Sequence, residues 1–234
     1  MTITVIIPTL NEASTIATTI RHTAQLGFDE IVVVDGESSD QTRTIVDSLE
    51  SGTQPSLDMV RLLTVAPGRA SQLNAGAKAA RGGVLLFLHA DTMLPNCAKQ
   101  HIESALADPL VVGGRFDVQF DSLSIWGRMI GTFMNVRSRL TRISTGDQAM
   151  FVRRHVFERL GGFSDIPIME DIEFSIRLKR TGTTIALHDR VTTSFRRWEQ
   201  RGSVNTILLM WALRFLYWIG VSPHRLQRFY AAVR

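Results

Sequence analysis

The 234-residue sequence predicts an α/β fold built as one Rossmann-like domain, with a mostly parallel central sheet flanked by helices. Three observations predict it. The first ninety residues alternate strand-type and helix-type segments in the order β-α-β-α-β-α-β. Such alternation lays strands side by side in parallel, with the helices crossing over on both faces. The strand-type segments are also continuous apolar runs, as in "IVVV" (31–34) and "VLLFL" (84–88), which suits strands covered on both sides. Finally, 44% hydrophobic and 21% charged residues suit a single domain large enough for its own core.

The segments follow in order. Residues 2–7 are a β-rich run, and 12–26 place Ile16 and Ile20 at helical spacing. Residues 30–34 form a buried strand, 41–49 a helix with Ile45, Val46 and Leu49 inward, and 60–65 a strand. Residues 69–81 are helical, closed by Gly82-Gly83, and 84–88 are again a strand. The pattern then changes. Residues 96–107 read as a helix, 112–120 as a strand, and 123–140 as a long amphipathic helix bearing Arg128, Arg137 and Arg139. A strand at 148–152, a helix at 171–180, a strand at 184–187 and a strongly apolar helix at 203–219 complete the chain. The division expected is a nucleotide-type half over 1–92, an acceptor-type half over 93–202, and an apolar helix and tail over 203–234. The loop over 51–58 has the composition of a mobile one.

Composition narrows the classes. The single cysteine, Cys97, forms no intrachain disulfide, which suits a reducing compartment. "MTITVIIPTLNEA" has no basic start and its apolar run breaks at Pro8 and Asn11, so it does not read as a signal peptide. A net charge of +4, with arginine concentrated in the second half, suits an anionic ligand or membrane surface and falls short of a nucleic-acid-binding profile.

Four polar clusters sit where strands end, which in an open parallel sheet is where ligands bind. "IPTLNEA" (7–13) sets Thr9, Asn11 and Glu12 at a strand-to-helix turn; free N–H groups and a carboxylate there suit ribose hydroxyls, and equally suit helix capping. In "VVVDGESSD" (32–40), Asp35 ends a buried strand and is poorly explained by capping, whereas Ser39 and Asp40 read as turn and cap residues. In "APGRASQLNAGAKAARG" (66–82), Arg69 opens a helix with a fork suited to a base or diphosphate, or else is solvated. In "LLFLHADT" (85–92), an extended chain would turn His89 and Asp91 to one side, where carboxylate and imidazole could share a divalent metal. Turn chemistry is the structural alternative for Asp91, and a hydrogen-bonding role is the better reading of His89.

These clusters, in this order, resemble the nucleotide-binding half of family 2 glycosyltransferases of the GT-A fold. "VDGESSD" resembles the family's V-D-x-S-x-D segment, "FLHADT" its D-x-D element, and "GGFSDIPIMEDIEFSIRLKRTG" (161–182) its G-G-F…E-D segment. "GDQAMFVRR" and "TSFRRWEQRG" resemble a small bacterial branch associated with radical-SAM/selenodomain proteins. The resemblance implies inverting transfer from a nucleotide-diphosphate sugar, UDP-hexose first among them, to an acceptor hydroxyl. It implies that Pro8, Thr9, Glu12, Asp35 and Arg69 hold the nucleotide, and that Asp91 holds Mn2+ or Mg2+ on the diphosphate. Asp171 would be the base and Glu170 its support, with Gly146, Asp147 and Gln148 near the donor sugar or acceptor, as well as Arg197 and Trp198. Two departures stand out: His89 replaces the first D of D-x-D, and Ser194 stands where the Q of Q-x-x-R-W would be.

Two other classes compete. A nucleotidyltransferase would need a Gly-rich phosphate loop after the first strand, and "PTLNEAST" has no glycine. A non-catalytic nucleotide-sugar binder would not need the Glu170-Asp171 pair. The helix over 203–219 falls short of the ~20 apolar residues of a span and contains Arg214. It reads as packed on the domain, as a homodimer contact, or as an interfacial helix with Trp211, Tyr217 and Trp218 at headgroup level. The expected location is cytoplasmic, with peripheral contact at the inner face of the membrane.

Overall fold

A computed structural model describes residues 1–51, 57–196 and 203–232. Its centre is one eight-stranded sheet with strand order β3-β2-β1-β4-β7-β6-β8-β5. The half that alternates in sequence supplies the parallel part: β1 (Ile3–Thr9), β2 (Glu30–Asp35), β3 (Val60–Thr64) and β4 (Val84–Phe87). β1 and β2 are buried almost throughout because helices cover both faces. On one face lie α1 (Ile16–Gln25) and α2 (Thr42–Glu50), which share a core with Val5, Ile7, Ile31 and Val33. On the other lies α3 (Arg69–Ala79), whose Ala70, Leu73 and Ala77 meet Ile6, Val32 and Val34. Side chains that alternate along each strand therefore feed two cores.

The second half is mixed. β5 (Thr92–Met93) and α4 (Ala98–Ala105) lead into β6 (Val111–Phe120) and the long α5 (Ile125–Thr141). β7 (Met150–Arg153) inserts antiparallel between β4 and β6, and α6 (Arg154–Arg159) follows it at once. α7 (Glu170–Leu178) precedes β8 (Thr183–Thr193), which runs parallel to β6 and antiparallel to β5. Two helices close the chain, α8 (Ser203–Trp218) and α9 (Pro223–Ala232).

Three expectations are corrected. α1 begins at Ile16, not at residue 12, because Asn11 takes a left-handed φ of 57° and spends its side chain on the β2–α2 loop, accepting from Ser39 N at 2.8 Å. α3 ends at Ala79 without a left-handed glycine: Ala80 is extended, and the Gly82 N–H donates to Thr4 Oγ1 at 2.9 Å. β8 runs to Thr193, well past the predicted 184–187, since its far end gains β5 as a partner.

Candidate active site

The carboxyl ends of β1, β2 and β4 open toward the same edge, and α3 holds that edge together. Gln72, buried at 4% exposure, donates from Nε2 to both Thr9 O and Val34 O at 2.8 Å, tying the ends of β1 and β2. Asn74 accepts from Phe163 N (2.9 Å) and donates to Phe163 O (2.8 Å), fixing the Gly161-Gly162-Phe163 turn. Gly162 is required there. Its φ is +73°, and a Cβ would come within 2.6 Å of Asn74 Oδ1.

A pocket at this edge brings together Pro8 from β1, Arg69 from the start of α3, His89 beyond β4, Gly146 and Asp171. Phe87, Phe163 and Leu73 form apolar parts of its wall; the Phe87 and Phe163 rings meet edge-on, 4.9 Å apart. Arg69 joins the polar members. Its Nε lies 2.7 Å from Glu170 Oε1, and its Nη2 contacts His89 Nε2. Because guanidinium only donates, His89 Nε2 accepts, so the proton sits on Nδ1, which is 3.2 Å from Asp147 Oδ1.

Asp171, at the first turn of α7, accepts from Gly146 N at 2.7 Å through Oδ2 and from Ile172 N at 2.7 Å through Oδ1. A Cβ on Gly146 would collide with the Arg69 guanidinium and the His89 ring, so a larger residue there has to displace those side chains. Gln148 is fully buried, and its amide closes the turn, accepting from Thr145 N at 3.2 Å and donating to Ser138 Oγ at 3.0 Å on α5. It shapes the Gly146–Gln148 turn from behind. Glu170 is 4% exposed, and burial first, then the Asp171 charge, push its carboxyl up to about 7 against the opposing pull of Arg69.

Other predicted residues lie around this pocket without lining it. Asp35 is fully buried, accepting from Ser38 N at 2.9 Å, Ser38 Oγ at 2.5 Å and Thr9 Oγ1 at 3.3 Å. Glu12 accepts from Thr15 Oγ1 at 3.2 Å and lies 3.8 Å from the Arg196 guanidinium. Arg197 and Trp198 lie outside the described residues, as does most of the 51–58 loop.

The extended chain that would turn His89 and Asp91 to one side is not found: β4 ends at Phe87 and residues 89–92 form a turn closed by Thr92 N on His89 O at 3.2 Å. Period-two alternation does not apply beyond the strand. Asp91 is half-buried, and its one hydrogen bond among the described residues is from the adjacent Thr92 hydroxyl at 3.4 Å. A carboxylate at the sheet mouth with oxygens still to satisfy fits a hard divalent cation. His89 does not offer itself, since both ring nitrogens are engaged. Cys97 just before α4, His101 on α4 and Asp189 on β8 form a separate group within metal-ligating distance, outside this pocket.

Sequence reasoning missed Gln72, Asn74 and the Phe87–Phe163 wall. The signal for the first two was present: two amide side chains on the inward turns of an otherwise apolar helix face.

Four parallel strands ending on arginine, histidine and carboxylates, continued by a mixed half-sheet, define the GT-A class of glycosyltransferase fold. Residues 4–161 match the sequence model described as Glycosyl transferase family 2, and the chain belongs to that family. A probable glycosyltransferase, YdaM of Bacillus subtilis, is 26% identical over 85% of this chain and 50% of its own length. A beta-monoglucosyldiacylglycerol synthase of Synechocystis is 24% identical over 82% of this chain and 44% of its own. The chain therefore spans about half the length of the curated relatives it matches. Among solved structures, a mannosyltransferase of Pyrobaculum calidifontis in complex with GDP-Man and Mn2+ aligns with a TM-score of 0.68 at 25% identity, over 81% of this chain and 56% of that one. TarS of S. aureus in complex with UDP aligns at 0.66 and 19% identity, over 83% and 60%, a likeness of fold.

Proposed function

We propose that this protein transfers a sugar from a nucleotide-diphosphate sugar, UDP-hexose first among the candidates, to an acceptor hydroxyl with inversion at the anomeric carbon. The single observation that carries the reading is the Asp171 carboxylate set in the same pocket wall as Arg69, His89 and Pro8. The donors named for the solved relatives, GDP-Man and UDP-GlcNAc, are of this class. Residues 1–92 serve the nucleotide and 93–202 the acceptor.

In this reading Pro8, Thr9, Glu12, Asp35 and Arg69 bind the nucleotide. Asp35 does so by fixing the Ser38 turn against β1, a role its burial supports. Asp91 holds Mn2+ or Mg2+, which when bound neutralises the charge of the leaving diphosphate. Asp171 takes the acceptor proton: the Gly146 and Ile172 N–H groups orient its carboxylate. Glu170 positions Arg69 from beneath. Asp147 holds the His89 tautomer, and the Gly146–Gln148 turn, with Arg197 and Trp198, borders the donor sugar or acceptor. Membership of the radical-SAM/selenodomain-associated branch belongs to the same proposal.

No helix among the described residues is long and apolar enough to cross a membrane. Peripheral contact with an anionic membrane is nevertheless part of the reading, supported by exposed apolar side chains on α5 and α8 such as Trp126 (45%) and Trp211 (51%). The test is incubation with UDP-glucose, UDP-GlcNAc and GDP-mannose in manganese. Release of free nucleoside diphosphate is the result expected; formation or consumption of pyrophosphate instead would make the protein a nucleotidyltransferase.

A further inference from the structure

Two arginines beside the pocket have nitrogens with no hydrogen-bond partner among the described residues, although those atoms are shielded from solvent: Nε and Nη2 of Arg137 on α5, and Nε of Arg214 on α8. Unpaired buried N–H groups on a cation are unfavourable and call for an anion. Their helices are anchored to the site from two directions. Ser138, next to Arg137, accepts from the Gln148 amide at 3.0 Å behind the Gly146–Gln148 turn. Leu213, next to Arg214, shares a small core with Met169 and Ile172, which flank Glu170 and Asp171. The Phe133 and Trp211 rings stack 5.1 Å apart and join the two helices. Burial, and for Arg137 the Arg214 charge as well, lowers both guanidinium groups, Arg137 to about 10, while Asp171 and Asp147 pull the other way. Both arginines remain cationic at neutral pH. Asp171 and Asp147 offset part of that charge at a distance, while the Asp171 oxygens accept from the Gly146 and Ile172 N–H groups.

The same two helices expose an apolar face. Met129 (57%), Val136 (50%) and Leu140 (81%) on α5 face outward, as do Leu208 (62%), Phe215 (58%) and Trp218 (80%) on α8. The chain has no Asp or Glu over residues 122–146 or 203–234, while each stretch carries four arginines. That charge pattern decides the occupant. A symmetric dimer through this face would set arginine against arginine. An anionic lipid surface complements it.

We propose that Arg137 and Arg214 grip the phosphate of a lipid-borne acceptor, a phospholipid whose headgroup carries a free hydroxyl, with its acyl chains along the apolar face of α5 and α8. The proposal rests on the sugar-transfer reading above and names its acceptor class. Two guanidinium forks suit phosphate oxygens, and gripping the phosphate sets the headgroup hydroxyl toward Asp171. In the transfer the hydroxyl oxygen bonds to the anomeric carbon, its proton passes to the Asp171 carboxylate, and the bond from the anomeric carbon to the β-phosphate oxygen breaks. The bonding pair leaves on the nucleoside diphosphate.

The test uses monomeric dihexanoyl phosphatidylglycerol, titrated by calorimetry against the whole protein with UDP and Mn2+ present. Dihexanoyl phosphatidylcholine and glycerol 3-phosphate are the comparison ligands. Phosphatidylglycerol should bind at least roughly tenfold more tightly than either, and Arg137→Gln and Arg214→Gln should each weaken it about tenfold or more. Arg43→Gln, exposed on α2, should leave it unchanged. Arg137→Lys and Arg214→Lys, which keep the charge without the fork, should recover part of the loss. Independently of any variant, phosphatidylglycerol should protect Arg137 and Arg214 of the wild type from phenylglyoxal, read by mass spectrometry. Unchanged affinity in the glutamine variants, or no protection, overturns the proposal. Equal binding of glycerol 3-phosphate overturns its lipid half. Failure of the wild type to bind UDP or GDP with Mn2+ would instead refute the sugar-transfer reading on which it rests.

Discussion

Replacing Glu170 by glutamine should remove a pH dependence of stability that the structure puts between about pH 4.5 and 7. Glu170 is buried under Arg69, and burial and the neighbouring Asp171 raise its carboxyl from 4.5 to about 7. A raised value in the folded state means that folding favours the protonated form. Its stabilising contribution is complete below pH 4.5 and is lost as pH rises through 7. A rise from 4.5 to about 7 corresponds to about 3 kcal/mol. For a chain of this size that is roughly 6–12 °C in melting temperature. Carboxyls held below their usual range, Glu30 and Glu173 among them, lose their contribution only at more acid pH and do so equally in both proteins. The assay is thermal unfolding of wild type and Glu170→Gln from pH 4.5 to 8. The variant should gain on the wild type steadily with pH. Parallel curves would show that Glu170 is ionised throughout and that the Arg69 pair dominates its burial.

Asp171→Asn should lower kcat by orders of magnitude while nucleoside diphosphate affinity stays within a few-fold, since a base acts only in the transition state; an equal loss of affinity would make Asp171 a nucleotide residue. Gly146→Ala should push Arg69 and His89 apart, lowering stability by roughly 1–3 kcal/mol in denaturant titrations and turnover with it. Asp35→Ala strips Ser38 and Thr9 of their acceptor and should weaken UDP binding equally with and without metal, as titration calorimetry would show; an effect confined to metal-containing samples would assign it to the cation.

The parallel half of the sheet was legible because each strand is a continuous apolar run and each helix a periodic one, so β1 to β4 and α1 to α3 fall near their predicted bounds. β5 was not, since Thr92–Met93 is a two-residue strand that exists only by pairing with β8. α6, six residues directly after β7, is too short for a period to register. In the site, strand ends located Pro8, Asp35 and His89, but chemistry between elements was invisible. The Arg69–Glu170 pair spans a hundred residues of sequence, and nothing local to "APGRAS" announces it. Gly146 was placed only near the donor sugar or acceptor, and the closeness of the Arg69 and His89 side-chain ends shows what a larger residue there has to displace. In the HAD segment the backbone was misread, because alternation was carried past Phe87 into a turn.

The central claim is that this sheet mouth binds a nucleoside diphosphate with a divalent cation held by Asp91 and without ligation by His89. The direct measurement is UDP and GDP affinity, with and without Mn2+, for wild type, Asp91→Ala and His89→Ala. Wild type should bind at least one of the two more tightly with Mn2+, and Asp91→Ala should lose that gain. His89→Ala, which frees Arg69 and Asp147 but touches no metal ligand, should keep it. Loss of the metal effect in His89→Ala as complete as in Asp91→Ala would contradict the account, making the histidine the ligand and its contacts with Arg69 and Asp147 incidental.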